Sequence, residues 1–217
     1  IGAFNEHLDG VAAISTFVAK VMRDNGYAGL IAPVGNGVDH VARAERLEYR
    51  GSLGKGFRFL HISSCFPRKG VDVLLDAFAK AFTARDDVSL TIKTFPNPHN
   101  TVSAQIQTLR RRYPDCPEIV LVEEDLNAGE IVDLYHRCHA FVAPSRGEGF
   151  GLPMGEAMWF GLPVITTGFG GQADFCTDET SWLVDFTFER AKTHLGLFDS
   201  VWAEPNVDSL VAQLKAV

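Results

Sequence analysis

The residues with the clearest chemical potential in this 217-residue chain lie in one glycine-rich run, Pro144-Ser145-Arg146-Gly147-Glu148-Gly149-Phe150-Gly151-Leu152-Pro153. Its three glycines let backbone N–H groups come close to a ligand, because no Cβ stands in the way. Pro153 suits the first turn of a helix, and a helix N-terminus favours an anion. The run reads as a diphosphate cradle or as a plain strand-to-helix turn, and glycine richness alone leaves both open. Glu148 precedes the helix and Glu156 falls in its first turn, with seven residues between them. A first-turn Glu can simply complement the helix dipole. Two carboxylates around an anion cradle also suit a ligand bearing hydroxyls as well as phosphate, because carboxylates accept hydroxyl hydrogen bonds. Earlier in the chain, Phe66-Pro67-Arg68-Lys69-Gly70 supplies two cations. They either neutralise a diphosphate or form an ordinary solvated basic pair before a helix.

The elements that must position these residues alternate. Ala12-Ala13-Ile14 is a short apolar run, Ser15 or Thr16 caps a helix through Arg23, and Gly29 to Val34 reads as a strand. Residues 35–56 hold Gly35, Gly37, Gly51 and Gly54 with no sustained period, and read as a linker. Strands follow at Phe57 to Ile62, Val88 to Ile92, Ile119 to Val122, Ala140 to Ala143, Pro163 to Thr166 and Trp182 to Val184. Between them, helical spacing joins Val71, Leu74, Leu75, Phe78 and Phe82, then Ile106, Leu109 and Tyr113, then Ile131, Leu134, Tyr135 and Cys138 behind an Asn127-x-x-Glu130 capping box. Pro153 and Gly161 bracket a short helix, and Val207, Leu210, Val211 and Leu214 begin a last one. This alternation predicts an α/β fold: a Rossmann-like, doubly wound, mostly parallel sheet. Ligands of such sheets sit beyond the strands' carboxyl ends, which selects the loops after Ile62, Phe95, Val122, Ala143 and Thr166. Residues 1–34, whose own sheet is missing, are expected to pack as an appendage with Val11, Ile14, Phe17 and Val21 covering a neighbour.

A net charge of −7 makes general nucleic-acid binding a poor expectation. Cys65, Cys116, Cys138 and Cys176 are widely spaced without a Cys-x-x-Cys pair, which fits a reduced compartment. No apolar run reaches transmembrane length and no signal-like segment opens the chain. The chain starts at Ile1 as if inside an element, so a piece of a longer protein is expected. His136-Arg137-Cys138-His139 holds metal-ligand residue types, but the helix they close needs Cys138 inward, so no metal site is expected. Arg110-Arg111-Arg112 reads as a solvated helix face. There is no Gly-x-Ser-x-Gly elbow, no Walker loop and no His-Glu-x-x-His.

Three motifs occur in order at matching distances: Pro67-Arg68-Lys69-Gly70, the Glu148–Glu156 signature in Glu-Gly-Phe-Gly-Leu-Pro-Met-Gly-Glu, and Gly161-Leu162-Pro163-Val164-Ile165 followed by Gly170-Gly171. Together they resemble the donor-binding, C-terminal domain of the retaining group 1 glycosyltransferases of the GT-B fold. The resemblance runs from about Phe57 to Val217, and Trp202-x-Glu204-Pro205 fits it. Residues 10–39 resemble the end of that family's first domain and its linker, here Asn36-Gly37-Val38-Asp39. The division implied is 1–56 for the end of the N-terminal acceptor domain plus linker, and 57–217 for the nucleotide-sugar-binding domain.

The resemblance implies roles residue by residue. Glu148 and Lys69 are the implied catalytic pair. Lys69 binds the donor diphosphate with Arg68 beside it. Gly149, Phe150, Gly151 and Leu152 contact the donor, the last two through backbone N–H groups. Glu156 holds the ribose, Glu148 the transferred sugar, and Glu123-Glu124-Asp125 lies near the base. Where such enzymes often carry an Arg six residues before the Lys, this chain has Ser63, and Gly170-Gly171-Gln172-Ala173-Asp174 lacks a Glu common in relatives. The implied activity is hexose transfer from an NDP-sugar co-substrate with retention, without metal or other cofactor. The acceptor would be a saccharide or lipid-linked molecule bound through the missing domain, in the cytoplasm or peripherally at the inner face of a membrane. The alternative is a non-catalytic nucleotide-binding or assembly module of the same fold. A sugar-nucleotide epimerase or phosphorylase is a third reading. The paired glutamates disfavour the former, and no cofactor-lysine context supports the latter.

Overall fold

The computed structural model describes residues 1–193 and 199–217. In chain order its elements begin with α1 (Gly2–His7), β1 (Gly10–Ala13), α2 (Thr16–Asp24), β2 (Leu30–Pro33) and α3 (Asp39–Ala42). There follow β3 (Phe57–Ile62), a 3-10 turn (Pro67–Lys69), α4 (Val71–Ala81), β4 (Val88–Lys93), α5 (Val102–Arg112), β5 (Glu118–Val122) and α6 (Ala128–Arg137). Then come β6 (Ala140–Ala143), α7 (Leu152–Trp159), β7 (Val164–Thr167), a second 3-10 turn (Gly171–Asp174), β8 (Trp182–Val184), β9 (Phe186–Arg190), β10 (Val201–Pro205) and α8 (Val207–Ala216).

Six strands form one parallel sheet in the order β5-β4-β3-β6-β7-β8, so the strand order reverses between β3 and β6. The expected α/β doubly wound architecture and all six expected strands are present. Both faces are covered, which is why the central strands are largely buried and rich in apolar residues. Phe59, Leu90, Ile92 and Val142 pack with Leu74 and Phe78 of α4 and Leu210 of α8 on one face. Leu60 and Phe141 pack with Leu134 and Tyr135 of α6 and Met154 of α7 on the other. The Asn127–Glu130 capping box is formed. The Ser15 side chain accepts from the Val18 N–H at 3.0 Å and fixes the start of α2.

Outside the sheet, β9 and β10 pair antiparallel, an element the sequence reading did not anticipate. Residues 1–34 are an appendage with its own two-stranded parallel sheet, β1 with β2. Helix α2 docks it on the second 3-10 turn. The Thr16 N–H donates to Asp174 Oδ2 at 2.8 Å, and Phe17 meets Phe169 edge-on with centroids 5.1 Å apart. Of the apolar positions expected to cover a neighbour, Ile14 and Val21 instead stay exposed, and Val11 and Phe17 are half-buried.

The 35–56 segment is a strap fastened to α6, not a free tether. Asp133 accepts from Arg46 Nε at 2.7 Å, from the Tyr49 N–H at 3.0 Å and from Arg137 at 3.3 Å, and Tyr49 and Leu53 enter the core. Burial would raise the Asp133 carboxyl, but these three donors hold it below the usual carboxylate range. A depressed folded-state pKa stabilises above the unfolded value, near 3.9, and that stabilisation is lost as pH falls through the folded value. Asp133→Asn should therefore cost about 1–3 kcal/mol at pH 7, with the gap to the parent protein closing below about pH 4. Urea melts at pH 7 and pH 3 check this; a gap independent of pH would show that charge is not what holds the strap.

Candidate functional site

Strand β6 ends at Ala143 and the glycine-rich run carries the chain to α7, whose N-cap is Gly151 at φ +92°, a conformation that L side chains rarely adopt. The basic turn at Pro67–Lys69 lies against this run. Gly70 approaches Pro144 so closely that a Cβ there would stand 1.9 Å from the Pro144 carbonyl oxygen. The Arg146 N–H donates to Arg68 O at 2.7 Å. The two segments expected to bind an anion thus meet at the reversal of strand order. They line a cleft of about 540 Å³ together with Ile14 and Phe17 of the appendage, a size ordinary for ligand sites. Among the described residues, the N–H groups of Gly149, Phe150 and Gly151 donate to no protein group. Leu152, as first helical residue, has no carbonyl a turn earlier to receive its N–H.

The charged side chains are paired in an ordered way. Glu148 is buried; its Oε1 accepts from Lys69 Nζ at 2.6 Å and from Ser145 Oγ at 2.8 Å, and its Oε2 lies 3.4 Å from Arg68. Glu156, also buried, accepts from Tyr135 OH at 2.6 Å and from His40 Nε2 at 2.8 Å. Burial beside Glu156 pushes the Tyr135 phenol far above its ordinary range, so it remains a donor. Each carboxylate oxygen has two lone pairs, so Glu156 keeps room for ligand hydroxyls. Ser63 turns inward: His61 Nδ1–H donates to Val142 O at 2.7 Å, so its Nε2 accepts from Ser63 Oγ at 2.7 Å. Burial lowers the His61 imidazole to about 4, so it is neutral at pH 7. In the acidic loop, Glu124 accepts from Tyr49 OH at 3.2 Å.

Arg146 holds the assembly together. It donates bidentately to Glu204 at 2.6 Å and 2.6 Å, bidentately to Asp72 at 2.7 Å and 2.7 Å, and to Pro67 O at 2.6 Å. Its guanidinium also lies over the Trp202 ring, 4.7 Å from the centroid. Sequence reasoning placed Arg146 only as part of the glycine run. It also missed Ser145, His40 and the role of Tyr135. Arg146 and Ser145 stood inside the motif, whereas the contacts of His40 and Tyr135 with Glu156 span 116 and 21 residues and leave no local signal.

The residue types around Cys138 do not converge. Burial pushes the Cys138 thiol up to about 12, His139 Nδ1 accepts from the Arg58 N–H at 3.0 Å, and His136 packs on Phe160. Among the described residues no three His, Cys, Asp or Glu side chains could share a metal ion.

The chain is similar to known proteins. The family described as glycosyl transferases group 1 matches residues 56–192. A lipopolysaccharide core biosynthesis mannosyltransferase of Rhizobium meliloti is 30% identical over 128 residues, 55% of this chain and 36% of that protein. An uncharacterised glycosyltransferase of Methanocaldococcus jannaschii is 28% identical over 175 residues, 78% of this chain and 43% of that protein. This chain thus spans less than half the length of these relatives. Among solved structures, sucrose-phosphate synthase from Thermosynechococcus elongatus superposes with a TM-score of 0.75 at 20% identity, over 99% of this chain and 50% of that one. That likeness is one of fold.

Arg146 is 6% exposed and Asp72 about half exposed, which sets the scale for breaking the clamp. Arg146→Met strands two carboxylates and a carbonyl, and should cost about 3 kcal/mol, the low end for breaking a buried pair. In a chain of this size that lowers Tm by roughly 6–12 °C. Arg146→Lys should also fail, because an ammonium cannot serve two bidentate partners. Calorimetric melting checks both; a loss under about 1 kcal/mol would show that the clamp carries little.

Proposed function

The chain belongs to the group 1 glycosyl transferases, and on that premise we propose that it is the donor-binding half of a retaining hexosyltransferase using an NDP-sugar. The observation that carries this reading is the convergence on one cleft of unpartnered N–H groups at the start of α7 with Lys69, Arg68 and Glu148. In this reading the leaving diphosphate is met by the N–H groups of Gly149 to Leu152 and by Lys69 and Arg68. Fixed donors aimed at the charge that develops in the transition state lower the barrier. Two cations against one carboxylate leave a net positive trio, so Glu148 does not repel the diphosphate and can face the sugar hydroxyls. Glu156, held by Tyr135 and His40, takes the ribose.

Cations and helix N–H groups do this work without metal. The acceptor, a saccharide or lipid-linked molecule, is bound by a domain outside this chain, so the chain alone binds the donor and does not turn it over. No helix among the described residues is long and apolar enough to cross a membrane; a cytoplasmic protein, peripheral at a membrane's inner face, is the setting we propose. The alternative, a non-catalytic module, draws on Ser63, whose hydroxyl is spent on His61 where relatives often offer an Arg. Hexose transfer by the full-length protein separates the two.

Calorimetry with a nucleoside diphosphate and its sugar conjugate tests the residue roles. Losing a charged acceptor costs about 1.5–3 kcal/mol, roughly ten- to a hundredfold in affinity. Glu156→Gln should weaken both ligands. Glu148→Gln should leave the free nucleotide's affinity undiminished and weaken only the conjugate. Equal losses on both ligands from both variants would make the glutamates merely structural. Binding should also persist in EDTA; loss of binding that magnesium or manganese restores would overturn the metal-free site.

A further inference from the structure

Lys93 is the last residue of β4, in register with Ile62 of β3 and Val122 of β5. It therefore stands at the carboxyl edge of the sheet, one strand from the reversal of strand order. The residue is 7% exposed, and among the described residues its ammonium donates only to Thr94 O, at 2.5 Å. An ammonium has three donors, so two lack a protein acceptor. Burial pushes the Lys93 ammonium below its ordinary range against the through-space pull of Asp125 and Glu124 in the loop after β5, and among the described residues no carboxylate reaches ion-pair distance. Such a group is costly to bury unless something completes its hydrogen bonds.

The side chain faces a cleft of about 320 Å³ that shares Arg68, Lys69 and Pro153 with the larger cleft described above; Ile131 and Phe95 add apolar wall. Pro153 and Glu156 are three residues apart on α7 and so share a helix face. This smaller cleft thus has the cationic turn at one end, the carboxylate proposed for the ribose on the same helix face as its wall, and Lys93 on its sheet side. We propose that Lys93 reads the donor nucleobase, donating to a ring carbonyl, so that the pocket prefers a keto base, guanine or uracil, over adenine or cytosine. The inference rests on the reading that the turn and cradle take the diphosphate. Guanine presents O6 and N7 as acceptors and uracil O4, whereas adenine and cytosine present an amino group at the equivalent edge. A donor-only ammonium facing an amino group leaves both unpaired, and a site built to hydrogen-bond rejects ligands that lack the partner.

The test measures binding of GDP, UDP, ADP, CDP and inorganic pyrophosphate to the chain and to its Lys93→Met and Lys93→Gln variants. The expected result is that GDP or UDP binds at least about tenfold more tightly than ADP and CDP. Lys93→Met should erase that preference while leaving ADP, CDP and pyrophosphate unchanged. Equal weakening of all five by Lys93→Met would make Lys93 a phosphate contact and overturn the inference, with the donor site intact. Absence of any preference in the parent chain, or preference for ADP or CDP, would also overturn it, and this ranking decides the matter even where a variant does not fold. Failure of the parent chain to bind any of the five would remove the donor site itself.

Discussion

All five N–H donors of the Arg146 guanidinium have acceptors, and the placement of the whole candidate site depends on that saturation. Its partners come from three separate pieces of chain: the carbonyl of Pro67 in the basic turn, Asp72 in the first turn of α4, and Glu204 in β10. The backbone of the same residue adds two ties, its N–H to Arg68 O and its carbonyl from the Ala203 N–H. A buried guanidinium repays its desolvation only when its geometry is complete. The turn bearing Lys69 and the run bearing Glu148 are therefore held in one relative position. This also explains why β9 and β10, which add nothing to the parallel sheet, belong to the site: without Glu204 the guanidinium loses a bidentate partner.

Given that fixed geometry, the local charges follow. Glu148 is too buried to stand alone, and Lys69, Ser145 and Arg68 satisfy it. The same contacts keep Lys69 extended toward the cleft instead of free to sample solvent, with its rotamers already restricted before a ligand arrives. Arg68 is more exposed than Lys69 and so stands at the rim, where an incoming anion meets it first. Two cations sharing one carboxylate leave positive charge at the mouth of a helix N-terminus.

Most of the fold was legible because its determinants are local. Uninterrupted apolar strands such as Ala140–Ala143, separated by helices with one apolar face, specify a sheet buried on both sides. The cradle was legible through glycine and Pro153. What escaped were relations between distant residues. Nothing near Glu156 in sequence points to His40, and Tyr135 looked like core, which it also is. Asp133 gave no sign that it would anchor the strap at Arg46 and Tyr49, because a carboxylate on a helix usually faces water. Phe186 and Phe188 do alternate as strand residues should, but a strand without its partner cannot be told from a loop. Lys93 did leave a trace, a cation closing a buried strand.

The orientation of the cradle follows from peptide geometry. In a trans peptide the carbonyl of one residue and the N–H of the next point in opposite directions. The Gly149 carbonyl accepts from Ser15 Oγ at 2.6 Å, and the Glu148 carbonyl accepts from the Gly171 N–H at 2.9 Å. Pinning these two carbonyls fixes the opposite bearing of the Phe150 and Gly149 N–H groups. Gly171 must be glycine for this contact, since a Cβ would stand 1.9 Å from Gly149 O. Gln172, buried and donating to Thr167 O and Phe169 O, holds the turn that carries Gly171. The residues at 170–174 thus set the direction of the cradle's donors from behind. Ser15, from the appendage, does the same from the other side. Because Ser15 also caps α2, a displacement of that helix would release the Gly149 carbonyl and free the Phe150 peptide to turn. The appendage is in this way mechanically joined to the donors of the cradle, through the Ser15 hydroxyl at the Gly149 carbonyl and through Thr16 at Asp174 of the turn that carries Gly171.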